Sequence, residues 1–361
     1  MACSATSEHP VPAQAVAECA GSLLETAATG AELTLSIVGT SFAGALGDIS
    51  DAVGRLLGAQ HSVGIVGSGA LMGSRIARDS PALAVLAFHA GVALHEVGYD
   101  REPDAGEAPV TDPGPPTSGA GRLWVGFGSE PRGNTAHRST GVPAAWGGLD
   151  PLPSALGSPV LRDGEPLGGI ALGLAGSSVR VLPVHGTIEV APAATVTRMA
   201  GAEIVALDGI PAAHFLESAL ADVDPVLLED CTAIGFTGTG TGELIAARPT
   251  GRGLLTRDPV EPGQRLVPAV LSRTAARRQL AAGLLGAGDT TSLCVLDSQL
   301  PIGSAPIGAD PDGSAPLQAP GTAPVGVIVR SLWLGGARGL ERSRASAVVL
   351  QLGSGGRAGR H

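Results

Sequence analysis

The stretch "HSVGIVGSGALMGSRIARDSPALAV", residues 61–85, decides how the first part of the chain is interpreted. Its apolar run at residues 63–66 predicts a strand, and the glycine-rich turn at residues 67–69 follows directly. Gly73 then precedes "SRIA", which could begin a helix. A strand, a glycine turn and a helix start are typical of a dinucleotide-binding loop, so the turn has to be tested against that geometry.

Three observations weigh against a dinucleotide loop. A helix after the turn would have to end before Pro81, which leaves barely two turns. The region about 20 residues further on has no acidic residue at a strand end for the ribose, because Glu96 falls within its strand. A Rossmann unit would also begin nearer the start of its domain. The sequence therefore favours an ordinary tight turn in a sheet, with an NAD(P)-dependent oxidoreductase as an alternative.

Bulk composition indicates a folded chain with an aliphatic core. Hydrophobic residues make up 44% of the 361 residues and aromatic residues only 2%, so Val, Leu, Ile and Ala must fill the interior. The formal net charge is −10 and the pI is about 5.2. Nucleic-acid binding needs clustered positive charge, so we expect no nucleic acid among the partners.

The four cysteines, Cys3, Cys19, Cys231 and Cys294, lie far apart in the sequence. No Cys-x-x-Cys or Cys/His spacing suggests zinc, and we expect neither a bound metal nor a cofactor. No apolar run approaches the ~20 residues of a membrane span. A secretory signal requires a basic segment before an apolar one, and the N-terminal residues have no such basic segment. We therefore expect reduced thiols and a soluble, cytoplasmic protein without membrane contact.

Apolar periodicity predicts an α/β protein, of mixed α+β type, built from two layered sheet-and-helix domains. Its first part alternates helices and strands, predicted at residues 12–30, 32–39, 48–59, 61–66 and 81–97. Later elements include a hairpin at 167–186, strands at 197–209, 290–297, 324–336 and 346–353, and a helix from residue 273. No internal repeat is convincing in the sequence.

Several weak motifs occur in the order found in FIST proteins. Residues 32–88 resemble the opening of the FIST domain, with its glycine turn at residues 67–69. Residues 160–216 resemble the middle of that family, including Leu207-Asp208-Gly209 followed by Pro211-Ala212. Residues 251–280 resemble the start of the FIST C-terminal domain. The resemblance covers about residues 12–352.

The end of the chain departs from the FIST pattern. The family places an S-C-x-G-R-G segment, then G-E-I-G-P, then H-G-Y/F-T near its C-terminus. This chain has "SLCVLDSQ", "SLWLGG" and "LERSRASA" in those places, so that Cys294 is retained while the Gly-Arg-Gly, the Glu and the His are not. If those residues form the family's ligand pocket, the pocket is altered in this chain.

The resemblance implies four segments. Residues 1–30 would form an N-terminal helix, residues 31–225 a FIST N-terminal-like domain, and residues 226–353 a FIST C-terminal-like domain. Residues 354–361 would be a disordered tail.

The resemblance also implies a function, which is non-catalytic binding of a small ligand, of amino-acid type, in sensory signal transduction. The ligand residues expected from it are Gly67, Ser68, Gly69, Arg198, Cys294 and Arg330. FIST domains also occur beside F-box segments, so a protein-interaction adaptor with ubiquitin-ligase or signalling partners is an alternative. No convincing F-box precedes the first predicted strand.

Overall fold

The computed structural model describes residues 2–26, 29–89, 91–97, 122–129, 145–175, 179–238, 242–285, 291–302, 307, 324–336, 339–343 and 346–352. Among these described residues, strand residues (48%) outnumber helical residues (24%) two to one, in several mixed sheets. The mixed α+β fold class expected from the sequence is therefore confirmed. The predicted tail at 354–361 lies outside the described residues.

The first part of the chain alternates strands and helices in the order β1 (Ala2–Ser7), α1 (Pro12–Glu25), β2 (Leu33–Val38), α2 (Leu46–Leu57), β3 (His61–Val66), β4 (Gly69–Met72), β5 (Arg75–Ala77) and β6 (Leu83–Phe88). Helix α2 buries Ile49, Val53 and Leu57, which recur every four residues on one face. Gly58 ends it with a left-handed conformation. The prediction that residues 1–30 form only a helix is wrong, because β1 precedes α1 and pairs with β6.

A middle segment of short strands follows, comprising β7 (Val92–Val97), β8 (Arg122–Gly128), β9 (Ala145–Gly148), β10 (Val160–Arg162), β11 (Glu165–Pro166), β12 (Gly169–Ala175) and β13 (Val179–Val184). The hairpin of β10 and β11 turns at Asp163 and Gly164, both with positive φ. Asp163 also accepts a hydrogen bond from the Ser62 N–H at 2.7 Å, which attaches the hairpin to β3.

The next segment contains a closed barrel. Its elements are β14 (Thr187–Glu189), β15 (Ala194–Ala200), β16 (Glu203–Leu207), β17 (Ile210–Pro211), α3 (Ala212–Ala221), α4 (Pro225–Asp230), β18 (Cys231–Gly238), β19 (Leu244–Pro249), β20 (Leu254–Thr256) and β21 (Arg265–Ser272). Strands β21, β15, β16, β20, β19 and β18 pair in that order, and β18 pairs with β21 to close the ring. The barrel has its own apolar core around Phe236.

The last segment contains α5 (Arg273–Leu285), β22 (Thr291–Asp297), β23 (Val325–Val329), β24 (Ser331–Gly336), β25 (Gly339–Ser343) and β26 (Ala347–Leu352). Helix α5 begins directly after β21. Its N-terminus is fixed by Asp230, whose carboxylate accepts hydrogen bonds from the Ser272 hydroxyl at 2.5 Å and the Thr274 N–H at 2.8 Å. The barrel and α5 are therefore joined firmly.

Two six-stranded sheets form the centre of the molecule and repeat one pattern. Sheet A has the order β1-β6-β2-β3-β10-β11, and sheet B has the order β13-β26-β22-β23-β4-β5. In each sheet the first two pairings are antiparallel, the third is parallel, and a hairpin completes the far edge. Leu35 of β2 pairs with Leu86 and Val63, and Leu293 of β22 pairs with Leu350 and Val325 in the same way.

This arrangement is an internal repeat of the fold that is not convincing in the sequence. The repeated feature is strand order and register, while residue identities differ. The barrel separates β13 from α5, so that equivalent elements are unequally spaced along the chain. A search for self-similar residues therefore misses a repeat that hydrogen bonds define.

The layers are held by three apolar clusters. Sheet A packs one face on α1 and α2. Its other face shares a core with sheet B and with a third sheet, sheet C, of order β25-β24-β9-β8-β12-β7. The second face of sheet B packs on α5. The core is aliphatic, as composition predicts.

The domain boundary expected at residue 225 is not a boundary of the fold. It lies inside the segment that forms the barrel, after the first residue of α4. Hydrogen bonds place the division elsewhere, because residues 187–272 form the barrel and its flanking elements, while sequence before and after them builds sheet B.

Candidate functional site

The predicted turn at Gly67, Ser68 and Gly69 carries the chain from sheet A to sheet B. The Gly67 N–H donates to the Val38 carbonyl at 3.0 Å, which belongs to sheet A. One residue later, the Ser68 N–H and hydroxyl both donate to the Ile328 carbonyl, at 2.9 and 3.2 Å. Ser68 therefore joins the two sheets.

Both glycines of this turn are required by close packing. A Cβ on Gly67 would lie 2.6 Å from the Val327 side chain, and one on Gly69 would lie 2.5 Å from the Ala77 carbonyl oxygen. The residues after the turn form the hairpin β4–β5, with no helix N-terminus for a phosphate. The dinucleotide-loop geometry is therefore not formed at these residues.

Cys294 lies in the middle of β22 and is fully buried. Its neighbour across the parallel ladder is Gly326, where an added Cβ would lie 2.8 Å from the Cys294 Cβ. Burial raises the pKa of the Cys294 thiol. The side chain is thus a packing element of the cluster beneath α5, and no ligand can reach it without opening that core.

Arg198 lies on β15 of the barrel, apart from the other predicted residues. It is exposed and sits where the β15–β16 register shifts. The structure therefore does not join Arg198 to Ser68 or Cys294 through any pairing of strands.

Arg330, by contrast, lies at the end of β23, two residues after the carbonyl that Ser68 contacts. Its backbone N–H donates to the Gly148 carbonyl at 2.9 Å. Its exposed guanidinium lies 3.9 Å from the Asp150 carboxylate. That separation and exposure make the ion pair weak. Of the predicted residues, Arg330 is the charged group that remains available at the surface near the Ser68 turn.

Strand β22, which pairs with β23, ends at a carboxylate that was not among the predicted site residues. Asp297 pairs with Val329 and is only 1% exposed. Its carboxylate accepts hydrogen bonds from the Gln299 N–H, at 2.7 Å, and from the Leu332 N–H. A buried carboxylate with backbone donors is a fixed negative charge at this end of sheet B.

Arginine side chains from several elements surround this strand end. Arg342 of β25 is half-buried and Arg257, which follows β20 of the barrel, is exposed; both interact electrostatically with Asp297. Arg78 donates from its Nη1 to the Ser298 carbonyl at 3.2 Å. Burial raises the pKa of Asp297 to about 6, although its two backbone hydrogen bonds and the guanidinium groups of Arg342 and Arg257 oppose that rise.

His185 lies at the same end of sheet B. Val184 and Leu296 both pair with Ala347, so that the next residues in line on the three strands are His185, Ser346 and Asp297. Burial lowers the pKa of His185, and among the described residues its Nδ1 has no hydrogen-bond partner. We call Arg78, His185, Arg257, Asp297, Arg330 and Arg342 the junction cluster, because the barrel meets sheet B there.

The junction cluster suits an anionic group. Its four guanidinium groups outnumber the two carboxylates beside them, Asp297 and the Asp150 partner of Arg330, in a chain whose net charge is −10. Metal binding has less support, since across the part of the chain that the structure describes no three His, Cys, Asp or Glu side chains come together. Asp297 could have been found from the sequence, because it is the one charged residue of the buried strand "TSLCVLD" and stands at its end. The arginines come from distant segments and carry no such signal.

Comparison with known proteins gives no match to this chain, either among family profiles or among curated proteins. None of the helices in the described ranges is both long and apolar enough to cross a membrane.

Proposed function

We propose that this protein binds a small carboxylate ligand of amino-acid type at the junction cluster, without catalysing a reaction on it, in a sensory or signalling role. The observation that carries the proposal is the local excess of guanidinium groups around Asp297 in an acidic chain. The resemblance of the sequence to FIST proteins is a second support, and it suggests the amino-acid class.

Arginine suits such a ligand, because its planar guanidinium donates paired hydrogen bonds to a carboxylate. Arg257 and Arg330 are exposed and can meet the ligand first. Arg342 is half-buried and lies deeper, near Asp297. The ligand carboxylate would be held between groups from the barrel and from the sheets, so that binding would strengthen the contact between these parts.

The role proposed is binding because the candidate nucleophiles are poorly placed for catalysis. The Ser68 hydroxyl donates its hydrogen bond to a backbone carbonyl, and within the described ranges no histidine is hydrogen-bonded to it. The Cys294 thiol is buried with a raised pKa, so that little thiolate forms. All four cysteines are free, which fits a reducing compartment, and we propose a cytoplasmic location.

Isothermal titration with a panel of amino acids tests the proposal. We expect at least one to release heat, and Arg330→Ala to weaken its affinity about tenfold through the loss of one charge-assisted hydrogen-bonding group. Arg198→Ala is the matched control, because it removes an exposed arginine of the barrel and should leave the affinity unchanged.

The proposal is abandoned if no amino acid releases heat. If Arg198→Ala and not Arg330→Ala weakens binding, the ligand lies on the barrel instead. Capture of ubiquitin-ligase subunits by a chain that binds no amino acid would favour the adaptor alternative. Enhanced NADPH fluorescence on mixing would favour the oxidoreductase.

A further inference from the structure

We propose that Asp297 is an internal competitor for the arginines of the junction cluster, so that neutralising its carboxylate strengthens anion binding there. The inference rests on the proposed site but concerns its regulation. It would hold for any small anion, whether or not the natural ligand is an amino acid.

Asp297 has a fixed place at the end of sheet B. Asp297 ends β22, is 1% exposed, and is held by the N–H groups of Gln299 and Leu332. Its own N–H donates to the Ser346 carbonyl at 2.9 Å. The two N–H donors hold the carboxylate in place, and the third hydrogen bond anchors the backbone of Asp297.

The charged groups around Asp297 are arginines from several elements. Arg342 of β25 and Arg257 after β20 act on it electrostatically, and both are proposed ligand groups. Arg78 contacts the carbonyl of the next residue, Ser298. Arg330 follows Val329, the partner of Asp297 in the ladder, and has Asp150 as its own counter-ion.

The charge of Asp297 opposes the binding of an anion. A carboxylate beside Arg257 and Arg342 repels a second anion and occupies the potential that would attract it. Protonation removes that charge without moving the side chain. Because burial raises the pKa of Asp297 to about 6, the change falls in a range that cells reach. By linkage, an anion bound at the arginines must in turn favour the protonated carboxyl.

His185 is the other titratable group at this strand end, and it has to be separated from Asp297. Burial lowers its pKa, which disfavours its charged form. If it did protonate, it would also favour anions. A variant of His185 therefore has to accompany any variant of Asp297.

Inorganic sulfate is a suitable probe, because its charge is constant across the relevant pH range. We would follow the arginine Nε–H signals by NMR during sulfate titrations at about pH 8 and about pH 5. The signals of Arg257 and Arg342 should report an affinity about tenfold tighter at the lower pH, the effect of one nearby charge. The Arg198 signal is the internal control and should report no such pH-dependent gain.

Asp297→Asn should bind sulfate at about pH 8 as tightly as the wild type does at about pH 5, with no further pH dependence. His185→Gln should keep the wild-type pH dependence. If Asp297→Asn does not fold, the wild type still decides the matter, because saturating sulfate must raise the pKa of Asp297 followed by its carboxyl ¹³C signal.

The inference is overturned if the wild-type affinity does not change with pH, if sulfate leaves the Arg257 and Arg342 signals unmoved, or if His185→Gln removes the pH dependence. Failure of the amino-acid panel alongside a pH-dependent sulfate site would overturn the proposed ligand class and leave the competition intact.

Discussion

The two halves of the core have the same strand order but different residues at one equivalent position. After β2, the Gly39 N–H donates to the Ala82 carbonyl at 3.3 Å. At the end of β22, the Asp297 N–H donates to the Ser346 carbonyl at 2.9 Å. The same backbone hydrogen bond therefore belongs to a glycine in sheet A and to a buried carboxylate in sheet B.

The difference teaches that the repeat supplies a scaffold and that charge distinguishes its copies. The end of β2 has room for a side chain, since the nearest atom to a Cβ on Gly39 would be 3.7 Å away, yet no charged group occupies it. The end of β22 gathers arginines from β25 and from the barrel. Only the half that carries the barrel therefore has a candidate site among the described residues.

The largest expected effect tests whether the halves are equivalent in the core. Leu35→Ala and Leu293→Ala remove side chains that are 0% exposed and occupy matching ladder positions. Each should lower the free energy of unfolding by about 3 to 4 kcal/mol in urea titrations, because each leaves a cavity. Leu156→Ala, at a residue 40% exposed, is the control and should change it by less than about 1 kcal/mol. A loss at one leucine less than half that at the other would contradict the equivalence.

The second prediction concerns Asp297, which the first half lacks. Its native pKa of about 6 lies above the ordinary value of 3.8, so that the native state binds a proton more tightly than the unfolded chain. This contribution to stability is fully present below about pH 4 and is lost as the pH rises through about 6. Relative to Asp297→Asn, the wild type should therefore gain up to about 3 kcal/mol between about pH 7 and pH 4.

Denaturant unfolding of both proteins at each pH measures this difference. Comparing the pair cancels the opposite effect of His185, whose lowered pKa makes stability fall as the pH drops through its ordinary range. A difference between the two proteins that stays constant with pH would show that the native pKa of Asp297 does not lie above its ordinary value.

The smallest expected effect concerns the turn that links the halves. Gly69→Ala places a Cβ 2.5 Å from the Ala77 carbonyl oxygen, which belongs to the adjacent strand and cannot rotate away. We expect a loss of about 2 kcal/mol in thermal or urea unfolding. Gly21→Ala in α1 is the control, because nothing lies within 4 Å and alanine favours a helix, so it should stabilise by up to about 1 kcal/mol. Equal behaviour of the two variants would mean that the turn can relax.

Much of the fold could be predicted where apolar periodicity was strong. Strand β3 has the predicted bounds at residues 61–66, α1 and α2 lie within two residues of their predicted starts, and β22 and β26 were found as strands. The strands β1, β4 and β5 were missed, because β1 (ACSATS) contains only small residues and β4 and β5 are only four and three residues long. Strand β4 pairs with β23, which lies more than 200 residues away in the sequence.

The candidate site was predictable only in part. Arg330 was selected, and the structure places it in the junction cluster. Gly67, Gly69 and Cys294 were expected from the FIST resemblance to contact a ligand, and the structure gives them packing roles. Arg257 and Arg342 could not be selected, since surface arginines are common and nothing in the sequence shows which of them face a buried carboxylate.

The sequence by itself determined the aliphatic core, the mixed α+β class and the positions of the strongly periodic elements, because these depend on local propensity and on which residues avoid water. Tertiary structure alone decided that the strands form a repeated pair of sheets, that residues 187–272 include a closed barrel, and that the turn after β3 crosses between sheets. The physical reason is that strand pairing is non-local. The hydrogen bonds of β4 and the charges around Asp297 come from segments whose proximity no local pattern encodes.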